Sequence, residues 1–454
     1  ANQALREFLK LYPHHARVQE AWFSIGRNLW NLGKNREGIE HFQKVLKKDP
    51  SSQWAVKALF FTGRLYEEKK TTYPLALENY AAVVERYGED EFAQWAAWRL
   101  GWVHYLDENY EQAFEKFREA AERYPAGFFV ENNLYWSAKA AEKLGKTAEA
   151  RDIYNEVHDR YPYTYYGIRG SEKLKPLNPS KSDNPGPEKK NAESTIEEPQ
   201  AFAERQPGPG ETFHYTRAVE LTGMGFYQNA RGEIRQLEKS VRKNLSGVMW
   251  LSGLYNRARG YANTLRILHL FKDFKTKQRE KELPDSFWKN FFPMAYTDTI
   301  RDQSIRHNVD PFFVKGLIRQ ESLFDTESIS PAGARGLMQI MPDTGKKLYR
   351  PDQNGKPFDT EFLFDPDLNI RLGIKYLSQL RKRFGQNGAH TLISYNAGPE
   401  VLKKWLKRFS DLNDQDVFIE SIPYPETRRY VKHVLRNYGI YRILYPLPAA
   451  ESGG

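Results

Sequence analysis

Apolar and small residues recur over the first 170 or so positions in a register that suits pairs of antiparallel helices. A two-residue mark, Tyr12-Pro13, Asp49-Pro50, Tyr87-Gly88, Tyr124-Pro125 and Tyr161-Pro162, returns with a period of about 37 residues. Seven positions before the last four marks stand Phe42, Tyr80, Phe117 and Tyr154, and eleven before them Gly38, Ala76, Ala113 and Ala150. Further upstream runs a second small column, Gly26, Gly63, Gly101 and Ala138. Small residues let two helices approach closely, the aromatic fills the gap beside them, and the Pro or Gly ends the second helix. The pattern therefore predicts stacked helix pairs over residues 1–176, curving into a superhelix with an extended concave face. Trp22, Trp98 and Trp136 are expected to pack between these helices.

Over 177–212 the periodicity stops, and a stretch rich in Pro, Gly, Ser and charge predicts a flexible linker. Helical periodicity returns over 213–296, where two to four connecting helices without chemistry of their own are expected. Residues 297–454 hold the candidate chemistry. Asp310-Pro311 has the form of a helix start, with Asp as N-cap and Pro at the first helical position. Val314, Leu317 and Ile318 mark one apolar face of that helix, and Glu321 continues it, so a carboxylate is aimed inward. Burial in an apolar wall disfavours the charged form, which is how a glutamate becomes a general acid near neutral pH. The expected fold class is mainly α with a small β component, and in the turn-rich segment Ser330–Gln339 the residues Gly333 and Gly336 allow tight backbone near a ligand.

Composition narrows the choice of partner. The chain has 454 residues and a net charge of +10, and a pI near 9.2, which favours an acidic partner. The positive excess of the last third is diffuse, which suits an anionic polymer better than the clustered Lys/Arg of phosphate tracking, so nucleic acid is not expected. There is no apolar run of the roughly 18 residues that a bilayer span takes, and mean hydropathy is −0.73, so no membrane span is expected. Cysteine is absent, which rules out disulfides, thiolate metal sites and a cysteine nucleophile in this chain. No metal or cofactor is expected: the histidines are scattered, and the acidic stretch Asp411–Asp416 lacks the glycine and terminal Glu of an EF-hand loop. Ala1 opens directly on a helical pattern without a basic or apolar leader region, so any export signal has been removed or precedes it, and this end alone decides nothing about export.

The helix-pair pattern is similar to tetratricopeptide repeats, slightly lengthened. Glu321-Ser322, then Gly336-Leu-Met-Gln339, then Tyr395-Asn-Ala-Gly398, then Glu420-Ser-Ile-Pro-Tyr-Pro-Glu-Thr-Arg-Arg-Tyr-Val431, in this order, resemble the motif set of family 1 lytic transglycosylases, the soluble Slt type with a goose-lysozyme-like catalytic domain. An N-terminal helical superhelix is typical of the soluble members. One departure is Ser394, where the family often has Ala; both are small.

The resemblance implies a role for each matching position. Glu321 would be the catalytic glutamate and Ser322 the residue beside it. Met338 and Gln339 would line the groove, Tyr395 and Asn396 would lie near the catalytic carboxyl, and Glu420 and Tyr430 would contact the saccharide or shape the cleft; for Met338 a place in the core and for Tyr430 packing alone are the alternatives. Glu426 is expected to be a helix N-terminal carboxylate, and Arg428 and Arg429 to be solvated. The implied substrate is the glycan strand of peptidoglycan, which places the protein in the bacterial envelope or periplasm, and the superhelix could meet protein partners. The implied reaction uses Glu321 as acid and then as base, with the substrate's N-acetyl group stabilising the developing cation and its C6 hydroxyl attacking C1 to leave a 1,6-anhydromuramic acid end. Two rivals stand beside it: a goose-type muramidase in which water attacks, and a non-catalytic glycan-binding scaffold.

Overall fold

The computed structural model describes residues 2–177, 206–241, 245–270, 283–350 and 357–446. Most of the expected linker therefore lies outside the described residues. The chain divides into two compact units, Ala1–Ser182 and Asp183–Gly454. Among the described residues every regular element is a helix; the β structure there amounts to two isolated bridges, Ile329 with Arg335 and Arg335 with Ile340.

The first unit is a run of helix pairs: α1 (Asn2–Leu11), α2 (Val18–Asn31), α3 (Asn35–Lys48), α4 (Gln53–Tyr66), α5 (Tyr73–Arg86), α6 (Glu91–Leu106), α7 (Tyr110–Arg123), α8 (Val130–Lys143), α9 (Thr147–Arg160) and α10 (Tyr165–Leu177). The repeating marks fall where the helices α1, α3, α5, α7 and α9 end. The upstream small column faces the aromatics as the pattern requires: a Cβ on Gly26 would lie 2.6 Å from the Phe42 ring, on Gly63 2.7 Å from Tyr80, and on Gly101 2.4 Å from Phe117, while in the other column a Cβ on Gly38 would lie 3.1 Å from the Gly26 carbonyl oxygen, where the two helices approach. Phe42, Tyr80, Phe117 and Tyr154 are fully buried, and Trp98 and Trp136 are buried in the same packing. One ionic cluster ties neighbouring pairs. The Glu67 carboxylate accepts from Arg64 at 3.0 and 3.1 Å, from Arg99 at 2.8 Å and from the Tyr80 hydroxyl at 2.5 Å.

The second unit opens with α11 (Thr212–Gly223), α12 (Tyr227–Val241), α13 (Leu245–Arg257), α14 (Tyr261–Leu270) and α15 (Asp285–Phe291). These are five connecting helices where the periodicity suggested two to four. The additional breaks fall at local backbone signals, Gly225 at φ 80° and Arg259-Gly260 with Arg259 at φ 52°, between stretches whose apolar pattern runs on without a gap. Then follow α16 (Thr297–His307), α17 (Pro311–Ser322), α18 (Pro342–Leu348), α19 (Pro366–Arg383), α20 (Gly388–Ala397), α21 (Pro399–Arg408), α22 (Gln415–Glu420) and α23 (Pro425–Leu444).

Helix α17 is the axis of this unit. Asp310 caps it, accepting from the amides of Phe312 at 2.8 Å and Phe313 at 3.3 Å. The helix is buried almost all round and lies close against α23: a Cβ on Gly316 would meet the Tyr438 nitrogen at 2.9 Å and the Val434 oxygen at 3.2 Å. Tyr438 donates to the second oxygen of Asp310 at 2.9 Å, and Asn437 donates to the Gly316 carbonyl at 3.2 Å. Lys315 is buried with its ammonium on the Ala295 carbonyl at 2.6 Å, and burial lowers its pKa to about 7. These ties fix the depth and rotation of the helix that carries Glu321.

Candidate active site

Helix α17 ends one residue past Glu321, at a turn in which Leu323 and Phe324 both take left-handed backbone, φ 53° and 63°. Neither is glycine, so each costs on the order of 1 kcal/mol that the surrounding packing must hold. Val314, Leu317 and Ile318 are fully buried, and Glu321, on the same face, is largely enclosed but still reaches solvent. Its Oε1 accepts from the Tyr430 hydroxyl on α23 at 2.5 Å. Burial raises the Glu321 pKa to about 7, against the opposing pull of the Tyr430 bond. The carboxyl thus exchanges its proton near neutral pH, while its partial exposure leaves it within reach of a ligand.

The segment Ser328–Ile340 forms the wall beside it. Ser322 does not open to the groove: it is buried, with its hydroxyl 2.8 Å from the Leu337 carbonyl. The Met338 side chain is also fully buried, packed so tightly on α19 that a Cβ on Gly373 would lie 2.2 Å from its sulfur. What Met338 turns toward Tyr395 is its backbone carbonyl, which accepts from the Tyr395 hydroxyl at 2.7 Å. Gln339, at φ 48°, spends its side-chain amide on the Gly336 carbonyl at 2.8 Å and the Ser328 carbonyl at 3.1 Å. Burial, then the nearby Glu321 charge, pushes the Tyr395 pKa well up, and burial does the same for Tyr430, so both phenols remain proton donors.

Asn396, at the end of α20, is exposed, and its Oδ1 accepts from the buried Thr427 hydroxyl at 2.7 Å. That bond fixes which way the amide points and leaves the NH2 as the group to offer. Glu420, at the end of α22, is buried and paired with the Lys432 ammonium. Arg428 is not solvated as its sequence position suggested. Its guanidinium donates to the Glu420 carbonyl at 3.0 Å and the Ile422 carbonyl at 3.4 Å, pinning the turn ahead of α23. Arg429 and Glu426 are exposed. In the acidic stretch, Asp414 caps α22 through the amides of Asp416 and Val417.

Of the eight positions expected from the motifs, Glu321 and Asn396 reach solvent and Tyr430 touches Glu321. Ser322, Met338, Gln339, Tyr395 and Glu420 spend their polar groups on, or pack into, the surrounding frame. Sequence reasoning missed two further residues. Asn369, fully buried on α19, accepts from the Met338 amide at 2.8 Å and donates to the carbonyls of Arg335 at 2.9 Å and Leu363 at 2.7 Å, so it staples the wall segment to the helix behind. Thr427 is the other. A buried Asn without a charged or aromatic neighbour in sequence carries no periodic signal. Thr427, inside the last motif, offered one that was not used.

Residues 298–418 match the family model described as the transglycosylase SLT domain. Tetratricopeptide-repeat models match residues 19–52, 69–128 and 133–162. The soluble lytic murein transglycosylase of Escherichia coli K12 is 37% identical over 154 residues, 33% of this chain and 23% of that protein. A membrane-bound lytic murein transglycosylase C of Histophilus somni is 32% identical over 167 residues, 34% of this chain and 41% of its own length. The matched stretch is thus less than half of either relative. Among solved structures, an inactive mutant of the lytic transglycosylase Slt from Pseudomonas aeruginosa superposes with a TM-score of 0.65 at 22% identity, over 97% of this chain and 69% of that one. The 70 kDa soluble lytic transglycosylase of E. coli gives 0.55 at 18%, over 97% and 83%. At such identities these superpositions speak for the fold. The chain therefore carries an SLT transglycosylase domain behind tetratricopeptide repeats, in the fold of the soluble lytic transglycosylases.

Proposed function

We propose that this protein is a peptidoglycan lytic transglycosylase of the bacterial envelope, acting in the periplasm on the β-1,4 bond between MurNAc and GlcNAc. The observation that carries the reading is Glu321: one carboxyl, enclosed so that its pKa rises to about 7, part-exposed and held by a phenol that does not ionise. Such a group protonates the glycosidic oxygen as the bond breaks. Hydrolases of the two-carboxylate kind need a second group as nucleophile or base. Here the substrate's own N-acetyl group stabilises the cation at C1 in place of that second group. The ionised Glu321 then recovers its proton from the C6 hydroxyl, which attacks C1 and closes a 1,6-anhydro ring. No water enters, and Glu321 ends as it began. Tyr430 serves both halves, since its hydrogen bond stabilises the carboxylate that exists between them. No cofactor or metal enters this scheme. The substrate is the glycan strand, and protein partners of the repeats are a further expectation of the same reading.

The test is a comparison of sacculus clearing with the appearance of reducing ends. Clearing without new reducing ends is the expected result. One reducing end per bond cleaved would make the protein a muramidase of the same fold, and no clearing by a folded protein would leave a glycan-binding scaffold.

A further inference from the structure

The net charge of the chain is not evenly distributed. Residues 368–410 hold nine Lys and Arg and one carboxylate, Glu400, and so account for most of the excess of +10. The diffuse excess expected of the last third is thus gathered on α19 to α21. One contact brings the charge-rich parts together: the Arg383 guanidinium, at the end of α19, donates to Glu400, at the start of α21, at 2.7 Å. Along α21, Lys403, Lys404, Lys407 and Arg408 follow Glu400 at spacings of three, four, seven and eight, and therefore share one face of the helix. All four are exposed, as are Lys382 and Arg383, while Leu402 and Trp405 on the opposite face are buried in the unit.

Cations in the last turn of a helix offset its dipole, which accounts for the end of α19 and for Lys407 and Arg408 on α21. It does not account for Lys403 and Lys404, which stand in the middle of their helix. Glu400 is shared between Arg383 and Lys403, the latter at 3.3 Å. Lys382, Lys404, Lys407 and Arg408 form no ion pair among the described residues. Six long cationic side chains therefore surround one carboxylate, on the outer side of a helix whose inner side is fixed. Such a surface repels itself, and a partner that supplies negative charge relieves it.

The rest of the surface decides what kind of partner fits. Among the described residues of 357–423 no large apolar side chain is exposed, so the patch offers nothing to stack on a sugar ring or to enclose a peptide side chain. Recognition rests on charge density. A bilayer with anionic lipids suits this, because its headgroups diffuse laterally and collect beneath a fixed array of cations, whereas the carboxylates of a crosslinked polymer stay where their bonds hold them. A cluster of roughly four to eight Lys and Arg on an amphipathic helix is what such binding takes. With the apolar side of α21 already buried against the protein, contact stays at the level of the headgroups.

We propose that the outer face of α21 with the end of α19 is a docking surface for an anionic phospholipid bilayer, which holds the second unit at a membrane surface through contacts that salt releases. This goes beyond the functional reading above and does not depend on it.

The full chain is mixed with vesicles of phosphatidylcholine alone, or of phosphatidylcholine and phosphatidylglycerol in equal parts, and bound protein is measured by cosedimentation at about 50 and about 300 mM salt. Two triple variants lose the same charge: Lys404→Gln with Lys407→Gln and Arg408→Gln in the patch, and Lys44→Gln with Lys47→Gln and Lys48→Gln at exposed positions of α3 in the first unit. At about fivefold in affinity per cation, the patch variant should bind the anionic vesicles about a hundredfold more weakly than the parent, and the α3 variant within about twofold of it. The parent should ignore neutral vesicles and lose the anionic ones at the higher salt. Equal weakening of both variants would mean that only net charge matters and would overturn the surface, as would binding of neutral vesicles or failure of the parent to bind anionic ones. Loss of affinity for sacculi in the patch variant alone, with no protein bound to vesicles, would assign the patch to the wall polymer and sink the membrane proposal. Cleavage of soluble glycan oligomers should be the same in all three proteins; no cleavage by any of them would defeat the functional reading and leave the docking surface to its own test.

Discussion

At Glu321 the enclosure that makes an acid also costs stability. Its folded pKa of about 7 lies above the ordinary 4.5, so the native state prefers the protonated form. Its contribution is therefore most favourable below pH 4.5 and declines as pH rises to about 7. Glu321→Gln keeps the shape and an acceptor for Tyr430 without the charge. It should melt at or above the wild-type temperature at pH 8, by roughly 1–3 kcal/mol of added stability, and near the wild-type value at pH 4, as scanning calorimetry at the two pH values would show. Tyr430→Phe tests the opposite influence. The Tyr430 bond holds the Glu321 pKa down, so its loss should move the basic limb of the pH–rate profile upward while lowering kcat about tenfold. An unmoved limb would mean that the phenol does not act on the acid.

The wall segment shows how one element is specified by residues that make no contact with a ligand. Gly336 sits at φ 72°, and a Cβ there would lie 2.2 Å from the Leu363 carbonyl and 2.4 Å from the Asn369 amide nitrogen. Gly336→Ala should therefore cost about 3 kcal/mol or more, read as the urea midpoint, whereas the same change at Gly333, whose Cβ would meet nothing within 4 Å, should cost only the backbone strain of φ 85°. In the first unit the corresponding element is the Glu67 cluster. Burial alone would raise the Glu67 pKa, but Arg64, Arg99 and the Tyr80 bond outweigh it and hold the carboxyl below its ordinary value. The stability it supplies is present at neutral pH and is lost as pH falls through that lowered pKa. Glu67→Gln leaves Arg64 and Arg99 facing a neutral group and should lower the stability of that unit by about 3–5 kcal/mol at pH 7. Much of this was legible in advance where a period or a motif recorded it: the helix pairs in the spacing of Phe42, Tyr80, Phe117 and Tyr154, and the start of α17 in Asp310-Pro311. Asn369 and the Glu67–Arg99 pair were not, because a contact between residues 31 or 32 positions apart leaves no local pattern. The inward turn of Ser322 was hidden, and that of Met338 left as one of two alternatives, for a related reason, since a motif records which residues recur and not which way each one points.

On the scale of the whole molecule, the chain couples a repeat unit rich in packing and poor in reactive groups to a unit that holds every candidate for chemistry. No described helix is long and apolar enough to cross a membrane. The net charge of +10 lies mostly in the second unit and suits a polymer that carries carboxylates. Attraction of that kind is screened by salt, so affinity for sacculi should fall as ionic strength rises from 50 to about 300 mM, while kcat on short, uncharged glycan oligomers stays constant. The central claim is that a single carboxyl performs both halves of a reaction that consumes no water, and the most direct test is the mass of the product. Purified peptidoglycan is digested with the wild type and with Glu321→Gln, the fold of the variant being verified by its melting transition, and the released muropeptides are weighed. Products lighter than their hydrolytic counterparts by one water, from the wild type alone, are predicted; products of full hydrolytic mass, or equal release by the variant, would contradict the account.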